Sequence, residues 1–182
     1  MTPLDALADE LGVSGRTLRR AGARGLFRYE RPSPKRVALD ARERRYLRKH
    51  WPVLQALVAI FRTEPNVRLA VLFGSFARGE AHAESDLDVL VQLGRPEQLA
   101  AAWLSLRLSE QLDRKVQIVA LEDAERSPLL LADALRDGRV LVDRDEAWPK
   151  LRQSEAAIQR RAQREGDALE RAAWETLEWA GA

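Results

Sequence analysis

Hydrophobic residues in the first forty positions follow first a helical and then a strand-like spacing. One helical face is marked by Leu4, Leu7, Ala8 and Leu11. Gly12 suits the left-handed turn that ends a helix, and Ser14 suits the N-cap of a second helix that turns Leu18 inward. This pattern predicts two short helices joined by a glycine-containing turn.

The next stretch, "LFRYERPSPKRVALD", changes to a two-residue spacing. Apolar side chains alternate as Phe27 and Tyr29 before a Pro-Ser-Pro tip and as Val37 and Leu39 after it. Alternation around such a tip predicts a β-hairpin. Together with the two helices before it, the hairpin predicts a winged helix-turn-helix domain over residues 1–50.

Two helical segments follow, "DARERRYLRKH" and "PVLQALVAIFRTE", and they meet at Trp51-Pro52. Proline is compatible with a first helical turn but kinks a helix interior. We therefore predict a break at this dipeptide and place the boundary between the first two domains there.

The pattern over residues 51–145 predicts an α/β domain. Short apolar runs predict strands at "VRLAVLF", "DLDVLVQL", "KVQIVAL" and residues 139–143. Helical patterns lie between the later strands, at "EQLAAAWLSLRLSEQLD" and "LLLADALRDG". The expected fold class is α/β (of the α+β type) with a small mixed sheet, between the N-terminal domain and a C-terminal helix.

Residues 146–182 predict one amphipathic helix. Its apolar stripe recurs at roughly 3.6-residue spacing, at Leu151, Ile158, Ala162, Leu169, Ala173 and Leu177. Gly166 weakens this helix, and Trp174 and Trp179 cannot both lie on the stripe. The helix either packs on the α/β domain or presents a surface for a second copy of the chain or for a protein partner.

Charge is distributed unevenly along the chain. Residues 1–50 contain 13 Lys and Arg against 6 Asp and Glu, whereas the whole chain has 30 against 28. A basic N-terminal domain favours binding to double-stranded DNA, because phosphate neutralisation supplies most of the non-specific affinity. "LADELGVSGRTLRR" also resembles bacterial helix-turn-helix regulators. The expected DNA contacts are Arg16, Thr17, Arg19 and Arg20 on the second helix, with Lys35 and Arg36 on the hairpin. The alternative is a domain of the same fold that binds protein, with its arginines solvated.

The absence of cysteine excludes a disulfide framework, a thiolate metal site and a cysteine nucleophile. The apolar runs fall short of membrane-spanning length, and "MTPLDALADE" lacks the order of a secretory signal. We expect a cytoplasmic protein with no membrane partner.

The most informative stretch is "LFGSFARGEAHAESDLDVLV", residues 72–91. Gly74 lets a phosphate approach the backbone closely, and Ser75 offers a hydroxyl beside the amides that open a short helix. Arg78 either contacts phosphate oxygens or is solvated. These three residues are the expected nucleotide-binding residues.

Asp86 and Asp88 share one face of the strand that follows, because side chains alternate along a strand. Two carboxylates a few ångströms apart on a half-buried strand repel each other. A divalent cation removes that conflict, and Mg²⁺ is typically held by one or two carboxylates together with substrate phosphates. The pair is therefore the expected metal site and the expected catalytic site.

The order Gly74-Ser75, ten intervening residues, then Asp86-Leu87-Asp88 resembles the signature of the DNA-polymerase-β-like nucleotidyltransferase superfamily. Within it, the chain is most similar to the minimal nucleotidyltransferases, which include the antitoxin partners of HEPN-domain toxins. The resemblance implies transfer of NMP, with AMP the expected group, from an NTP such as ATP to a protein or other acceptor. It also implies Ser75 near the triphosphate, the aspartates as Mg²⁺ ligands, and a cognate HEPN-type toxin as partner.

The third strand departs from this family pattern. The family's third carboxylate usually stands in such a strand, where this chain has Gln117. A neutral amide cannot act as a base or supply metal-binding charge, and we take Glu84, in the loop before the aspartate pair, as the substitute. Two functions stay open: an active nucleotidyltransferase coupled to DNA binding, and a catalytically impaired regulator that binds DNA and a nucleotide or partner protein.

Overall fold

The computed structural model describes residues 3–33, 36–82, 85–95 and 99–180. Its helices are α1 (Pro3–Glu10), α2 (Gly15–Ala23), α3 (Ala41–Thr63), α4 (Gly74–Arg78), α5 (Ala100–Leu112), α6 (Leu121–Ala124), α7 (Pro128–Asp137), α8 (Ala147–Gln153) and α9 (Glu155–Ala180). Its strands are β1 (Glu30–Ser33), β2 (Arg36–Ala38), β3 (Val67–Phe73), β4 (Leu87–Leu93), β5 (Val116–Ala120) and β6 (Arg139–Asp143). Among these helices, none combines the length and the apolar character that a membrane crossing needs.

The N-terminal segment has the predicted order of two helices and a hairpin. Gly12 has a φ of 67°, a left-handed conformation that glycine adopts without strain, in the turn after α1. Ser14 caps α2, since its hydroxyl accepts a hydrogen bond from the backbone N–H of Thr17 at 3.0 Å. Strands β1 and β2 then pair antiparallel, as the hairpin prediction requires.

A second, four-stranded sheet has the order β5-β4-β3-β6. Strand β3 pairs antiparallel with β4 and with β6, whereas β4 and β5 are parallel. Helices α5 and α7 make the connections on either side of β5. This arrangement confirms the predicted α/β fold class with a small mixed sheet.

Apolar side chains cover both faces of this sheet. On one face, Leu72 and Val89 belong to a core that continues to Leu18 of α2 and Leu54 of α3. On the other face, residues of β3, β4 and β6 form a second core with α7 and the start of α9. The two N-terminal helices and the sheet therefore share one continuous core.

The predicted break at Trp51-Pro52 is wrong, because α3 continues through this dipeptide with Pro52 inside it. A proline in a helix interior costs about 3 kcal/mol. Pro52 lies on the exposed side of α3, while Trp51 and Leu54 are buried in the core. Burial of one such side chain contributes about 1.5–3 kcal/mol, so the series of buried residues along α3 outweighs the proline. The division into residues 1–50 and 51–145 stays a prediction, and its boundary lies within one helix.

Two polar contacts attach the N-terminal segment, which precedes the four-stranded sheet, to the edge strand β6. The backbone N–H of Val140 donates to the carbonyl of Gly25 at 3.0 Å. Arg139 forms an ion pair with Glu43 of α3, and the two side chains are only 3% and 7% exposed. The N-terminal segment is therefore held to the sheet by polar contacts as well as by the shared core.

The C-terminal segment forms two helices where one was predicted. Helix α8 packs against β3 and β6, whereas α9 packs against α7, so the chain turns at Ser154 to follow different neighbours. Ile158 and Ala162 of α9 are buried, but Leu169 and Trp174 are 58% and 62% exposed. The side chain of Trp179 lies outside the described residues. Among the described side chains of α9, the buried ones therefore lie in its first part.

Candidate functional site

Strand β3 ends at Phe73, and the chain turns directly into α4 at Gly74. Gly74 has a φ of 74°, and a Cβ atom there would collide with the Oδ2 atom of Asp88. Glycine is therefore required for both the turn and the close approach. Ser75 is half-buried, and within the described part of the chain its hydroxyl has no hydrogen-bond partner. This hydroxyl is available to a ligand.

Strand pairing brings Asp88 to this turn. Asp88 pairs with Phe73 in the antiparallel register of β3 and β4, so its carboxylate lies beside Gly74. Leu87 and Val89, on either side of Asp88, are fully buried on the opposite face. Asp86 comes directly before β4, and its charge acts on Asp88. The sheet thus places Asp88 next to the Gly74-Ser75 turn, with Asp86 close enough to act on its charge.

The two aspartates impose an electrostatic conflict on the site. Burial raises the pKa of Asp88, and the neighbouring Asp86 raises that pKa further. The positive charges of Lys115 and Arg78 partly oppose this effect. Because the pKa of Asp88 is raised, any cation that binds beside its carboxylate stabilises the charged form.

Lys115 is a site residue that sequence reasoning missed. Its Nζ donates a hydrogen bond to Oδ2 of Asp86 at 2.5 Å, and this contact raises the pKa of Lys115. The lysine side chain is 74% exposed, so it can leave the carboxylate. Lys115 lies two residues before Gln117, so the sequence could have placed both side chains on the same face of the chain. That its partner is Asp86 follows only from the register of β4 and β5.

Gln117 lies where a third carboxylate was expected. The parallel register of β4 and β5 pairs Asp88 with Gln117, which is exposed. Paired residues on adjacent strands share a face, so the amide of Gln117 adjoins the site. Glu84, the proposed substitute, lies outside the described residues. Among the residues the structure covers, His, Asp and Glu do not form a metal-holding group of three or more.

The donor set of two carboxylates fits Mg²⁺ when a nucleotide supplies further oxygen ligands. Mg²⁺ prefers oxygen, keeps several waters, and commonly takes one or two carboxylates plus substrate phosphates. Asp86 and Asp88 supply the carboxylates, and the raised pKa of Asp88 shows that its negative charge is unfavourable without a bound cation. The chemistry of the site therefore fits the metal together with a triphosphate better than the metal alone.

Arg78 is engaged by protein carboxylates. Its guanidinium donates to Glu80 at 2.6 Å and to Asp137 at 2.7 Å, and these contacts raise the pKa of Arg78. Burial favours a higher pKa for Asp137, but hydrogen bonds from Arg136 and Arg78 hold that pKa below its usual range. Arg78 thus ties α4 to the end of α7, and a phosphate would compete with two carboxylates for it.

The residues predicted to contact DNA lie on α2 and on the hairpin. Helix α2 presents four of them as exposed residues: Arg16, Thr17, Arg19 and Arg20. The Arg19 guanidinium donates to Asp5 of α1 at 2.9 Å, so this arginine also holds the two helices together. Lys35 and the side chain of Arg36 lie outside the described residues.

Comparisons with known proteins agree with this strand-turn-strand arrangement. Residues 55–147 match the family described as "Polymerase beta, Nucleotidyltransferase". The protein adenylyltransferase MntA of Shewanella oneidensis is 33% identical over 78 residues, which cover 42% of this chain and 55% of MntA. The chain thus matches about half the length of that relative.

Solved structures share the fold at low sequence identity. A chain of a toxin-antitoxin crystal structure with AMP-PNP has a TM-score of 0.56 at 24% identity, covering 66% of this chain and 98% of that chain. A chain of the MntA-HepT toxin-antitoxin structure has a TM-score of 0.52 at 21% identity, covering 68% and 98%. A chain of the tri-AMPylated Shewanella oneidensis HEPN toxin complex with the MNT antitoxin has a TM-score of 0.51 at 20% identity, covering 66% and 98%. At these identities the likeness shows the fold alone.

Proposed function

Since the chain belongs to the family described as "Polymerase beta, Nucleotidyltransferase", we propose that it transfers AMP from ATP to a protein acceptor in the cytoplasm. The observation that carries the proposal is the close approach of the Asp88 carboxylate to Gly74 at one end of β3 and β4, with the charge of Asp86 acting on Asp88. MntA is a protein adenylyltransferase, which supports AMP as the transferred group and protein as the acceptor.

Each residue of the site has a role in this reaction. Asp86 and Asp88 would hold Mg²⁺, which when bound neutralises charge on the triphosphate during in-line displacement. Gly74 lets the Asp88 carboxylate lie against the backbone, and the Ser75 hydroxyl donates to a phosphate oxygen. The Lys115 ammonium group and a metal ion compete for the Asp86 carboxylate. Lys115 therefore leaves Asp86 and donates to a phosphate oxygen when the nucleotide binds.

Transfer is tested by incubating the full chain with ATP labelled at the α-phosphate, Mg²⁺ and a panel of candidate acceptors. We expect labelled protein with the wild type and no label with Asp86→Asn or Asp88→Asn. Asp123→Asn is the matched control, because this exposed carboxylate pairs with Arg126 at 2.9 Å, away from the site. The assay is repeated with the other three NTPs, each labelled at the α-phosphate. Absence of label with all four NTPs across a broad acceptor panel would reject the proposal.

The acceptor we propose is a HEPN-type toxin, which makes the chain an antitoxin. The support is the likeness to a complex that contains a tri-AMPylated HEPN toxin and its MNT antitoxin. The exposed part of α9, with Leu169 and Trp174, is the proposed docking surface. Self-association through the same surface is the alternative.

Docking is tested by co-purification with the toxin encoded beside this chain's gene. The truncation should remove residues 168–182 and keep Ile158 and Ala162, because those two side chains belong to the buried part of α9. We expect the truncation to abolish capture of the toxin. Retained capture rules out the tail as the dock, and sedimentation velocity of the full chain detects self-association.

A second candidate function is a regulator whose site binds nucleotide without turnover. Gln117, in register with Asp88, favours it because an amide supplies neither base nor metal-binding charge. Gln117→Asp restores a carboxylate there, and increased AMP transfer would support a site that has lost its third acid. Gln111→Asp, an exposed substitution on α5, is the control for added charge. If the wild type already transfers AMP rapidly and Gln117→Asp slows it, this candidate is dropped.

We also propose that α2 binds double-stranded DNA and represses the chain's own operon. Arg16→Gln with Arg20→Gln is the cleaner test, because Arg19 also pairs with Asp5. We expect weaker binding to the upstream DNA and a salt dependence shallower by about 0.9 per lost phosphate contact. Arg126→Gln with Arg160→Gln is the control with the same charge change. Unchanged affinity in the α2 variant would refute the proposal that α2 binds DNA.

A further inference from the structure

A cleft lies between α2, α3 and the edge strand β6, away from the aspartate pair. Its volume is about 490 Å³, and Thr17, Arg20, Gln55 and Arg62 are among its lining residues. This volume falls in the range of about 300–1,000 Å³ that small-molecule sites occupy. None of its lining residues belongs to the Gly74-Ser75 and Asp86-Asp88 site.

Three guanidinium groups line this cleft without a counter-charge. The guanidinium groups of Arg20, Arg24 and Arg62 make no hydrogen bond or ion pair with any residue the structure describes, and no carboxylate is among the lining residues. Other arginines of the same region are neutralised, as Arg48 is by Glu10 at 2.7 Å. The cleft therefore concentrates positive charge that the fold leaves uncompensated.

The floor of the cleft is apolar. Its buried side chains include Leu26 of the loop after α2, Trp51 of α3 and Val140 of β6. The Nε1–H of Trp51 is buried and has no acceptor among the described residues. A buried donor without a partner carries an energetic penalty that a ligand acceptor could remove.

The cleft adjoins a smaller cavity of about 190 Å³ that shares Arg24 and Arg62. Asp143 lines this cavity, but its carboxylate accepts the backbone N–H groups of Ala147 and Trp148 at the start of α8. It is therefore committed to helix capping and makes no ion pair with either arginine. The adjoining cavity extends the site without neutralising it.

We propose that this arginine cleft binds a small amphipathic organic anion, meaning a carboxylate or phosphate or sulfonate group carried on an apolar body. The guanidinium groups suit such an anion because they donate planar, charge-assisted hydrogen bonds. The apolar body covers the floor, beside Trp51. A bound anion neutralises Arg20 on α2 and thereby weakens DNA binding; this coupling rests on the proposed DNA function, whereas the binding site itself does not.

Binding is tested with the fluorescent anion 8-anilinonaphthalene-1-sulfonate and the full chain. The variant Arg24→Gln with Arg62→Gln removes two of the guanidinium groups and leaves Arg20 in place. We expect its affinity for the probe to fall on the order of tenfold or more, as loss of charge-assisted hydrogen bonds requires. Arg16→Gln with Arg45→Gln is the control, because both arginines are exposed and lie outside the cleft. Circular dichroism and thermal melts confirm that each variant is folded.

The uncharged analogue N-phenyl-1-naphthylamine separates anion recognition from apolar binding. We expect the wild type to prefer the sulfonate and the Arg24/Arg62 variant to lose that preference. Equal affinity of the wild type and the Arg24/Arg62 variant for the sulfonate overturns the site. So does equal binding of both probes by the wild type.

The coupling is tested separately by measuring DNA affinity with and without the sulfonate probe. We expect the probe to weaken DNA binding by the wild type and to leave the Arg24/Arg62 variant unaffected. Probe binding with unchanged DNA affinity overturns the coupling and leaves the site standing. A chain that binds no DNA refutes the DNA function, while the fluorescence titration still decides the site.

Discussion

Replacement of Arg139 by methionine removes the buried cation that faces Glu43, and we expect it to cost about 3–5 kcal/mol of unfolding free energy. The guanidinium donates to Oε1 and Oε2 of Glu43 at 2.5 and 3.1 Å, and to the carbonyl of Ala77 at 2.7 Å. It also lies 3.6 Å from the centroid of the Tyr46 ring. Methionine keeps most of the volume but leaves a buried carboxylate with the N–H of Arg28 as its remaining donor.

The size of this loss follows from burial. Both side chains are less than one tenth exposed, so solvent cannot compensate the charge that remains. Arg126→Met provides the contrast, because Arg126 and Asp123 are 78% and 65% exposed, and such pairs contribute roughly 0–1 kcal/mol. Against a total stability of about 5–15 kcal/mol, the loss at Arg139 is a large fraction.

Urea unfolding followed by tryptophan fluorescence measures both variants. The double variant Glu43→Leu with Arg139→Met should be more stable than Arg139→Met alone, because it leaves no unpaired charge in the core. A loss below about 1 kcal/mol for Arg139→Met would refute the reasoning, since that is the range of an exposed pair. A double variant less stable than the single one contradicts it as well.

Three further outcomes are expected. Burial lowers the pKa of His50 to about 4, from 6.5 in the unfolded chain, so below pH 6.5 the unfolded chain holds a proton that the folded chain lacks. The free energy of unfolding, measured in urea, should therefore fall by up to about 3 kcal/mol between pH 6.5 and 4. His50→Gln should flatten that pH dependence. Gly74→Ala forces a Cβ against Asp88 at positive φ, so it should lower the melting temperature and abolish ATP binding by calorimetry; normal binding would contradict the close approach. Lys115→Met removes the ammonium group that pairs with Asp86, so calorimetry should show Mg²⁺ binding a few-fold more tightly, as loss of an exposed ion pair allows, and metal-free ATP binding more weakly. If both affinities change in the same direction, Lys115 does not move from Asp86 to the nucleotide.

The parts of the fold that sequence predicted were those set by local periodicity. Alternation along β4 placed Leu87 and Val89 on one face and Asp88 on the other, and the structure has that arrangement. Gly12 and Ser14 were predictable because a left-handed turn and an N-cap each depend on a single residue. Local rules were sufficient for these elements.

The parts that sequence missed depend on contacts between distant segments. Pro52 signalled a helix break by its own chemistry, but the core on both sides of it decides that α3 continues. Lys115 reaches Asp86 only because β4 and β5 pair in one particular parallel register. The arginine cleft is assembled from α2, α3 and β6, so no single stretch of sequence contains its pattern.

The measurement that tests the central claim most directly is Mn²⁺ binding by electron paramagnetic resonance, with and without AMP-PNP. The claim is that Asp86 and Asp88 hold a divalent ion together with a nucleotide at the Gly74-Ser75 turn. We expect AMP-PNP to tighten Mn²⁺ binding to the wild type, Asp88→Asn to abolish this effect, and Asp123→Asn to preserve it. Mn²⁺ binding that AMP-PNP leaves unchanged, or that survives Asp88→Asn, would contradict the claim.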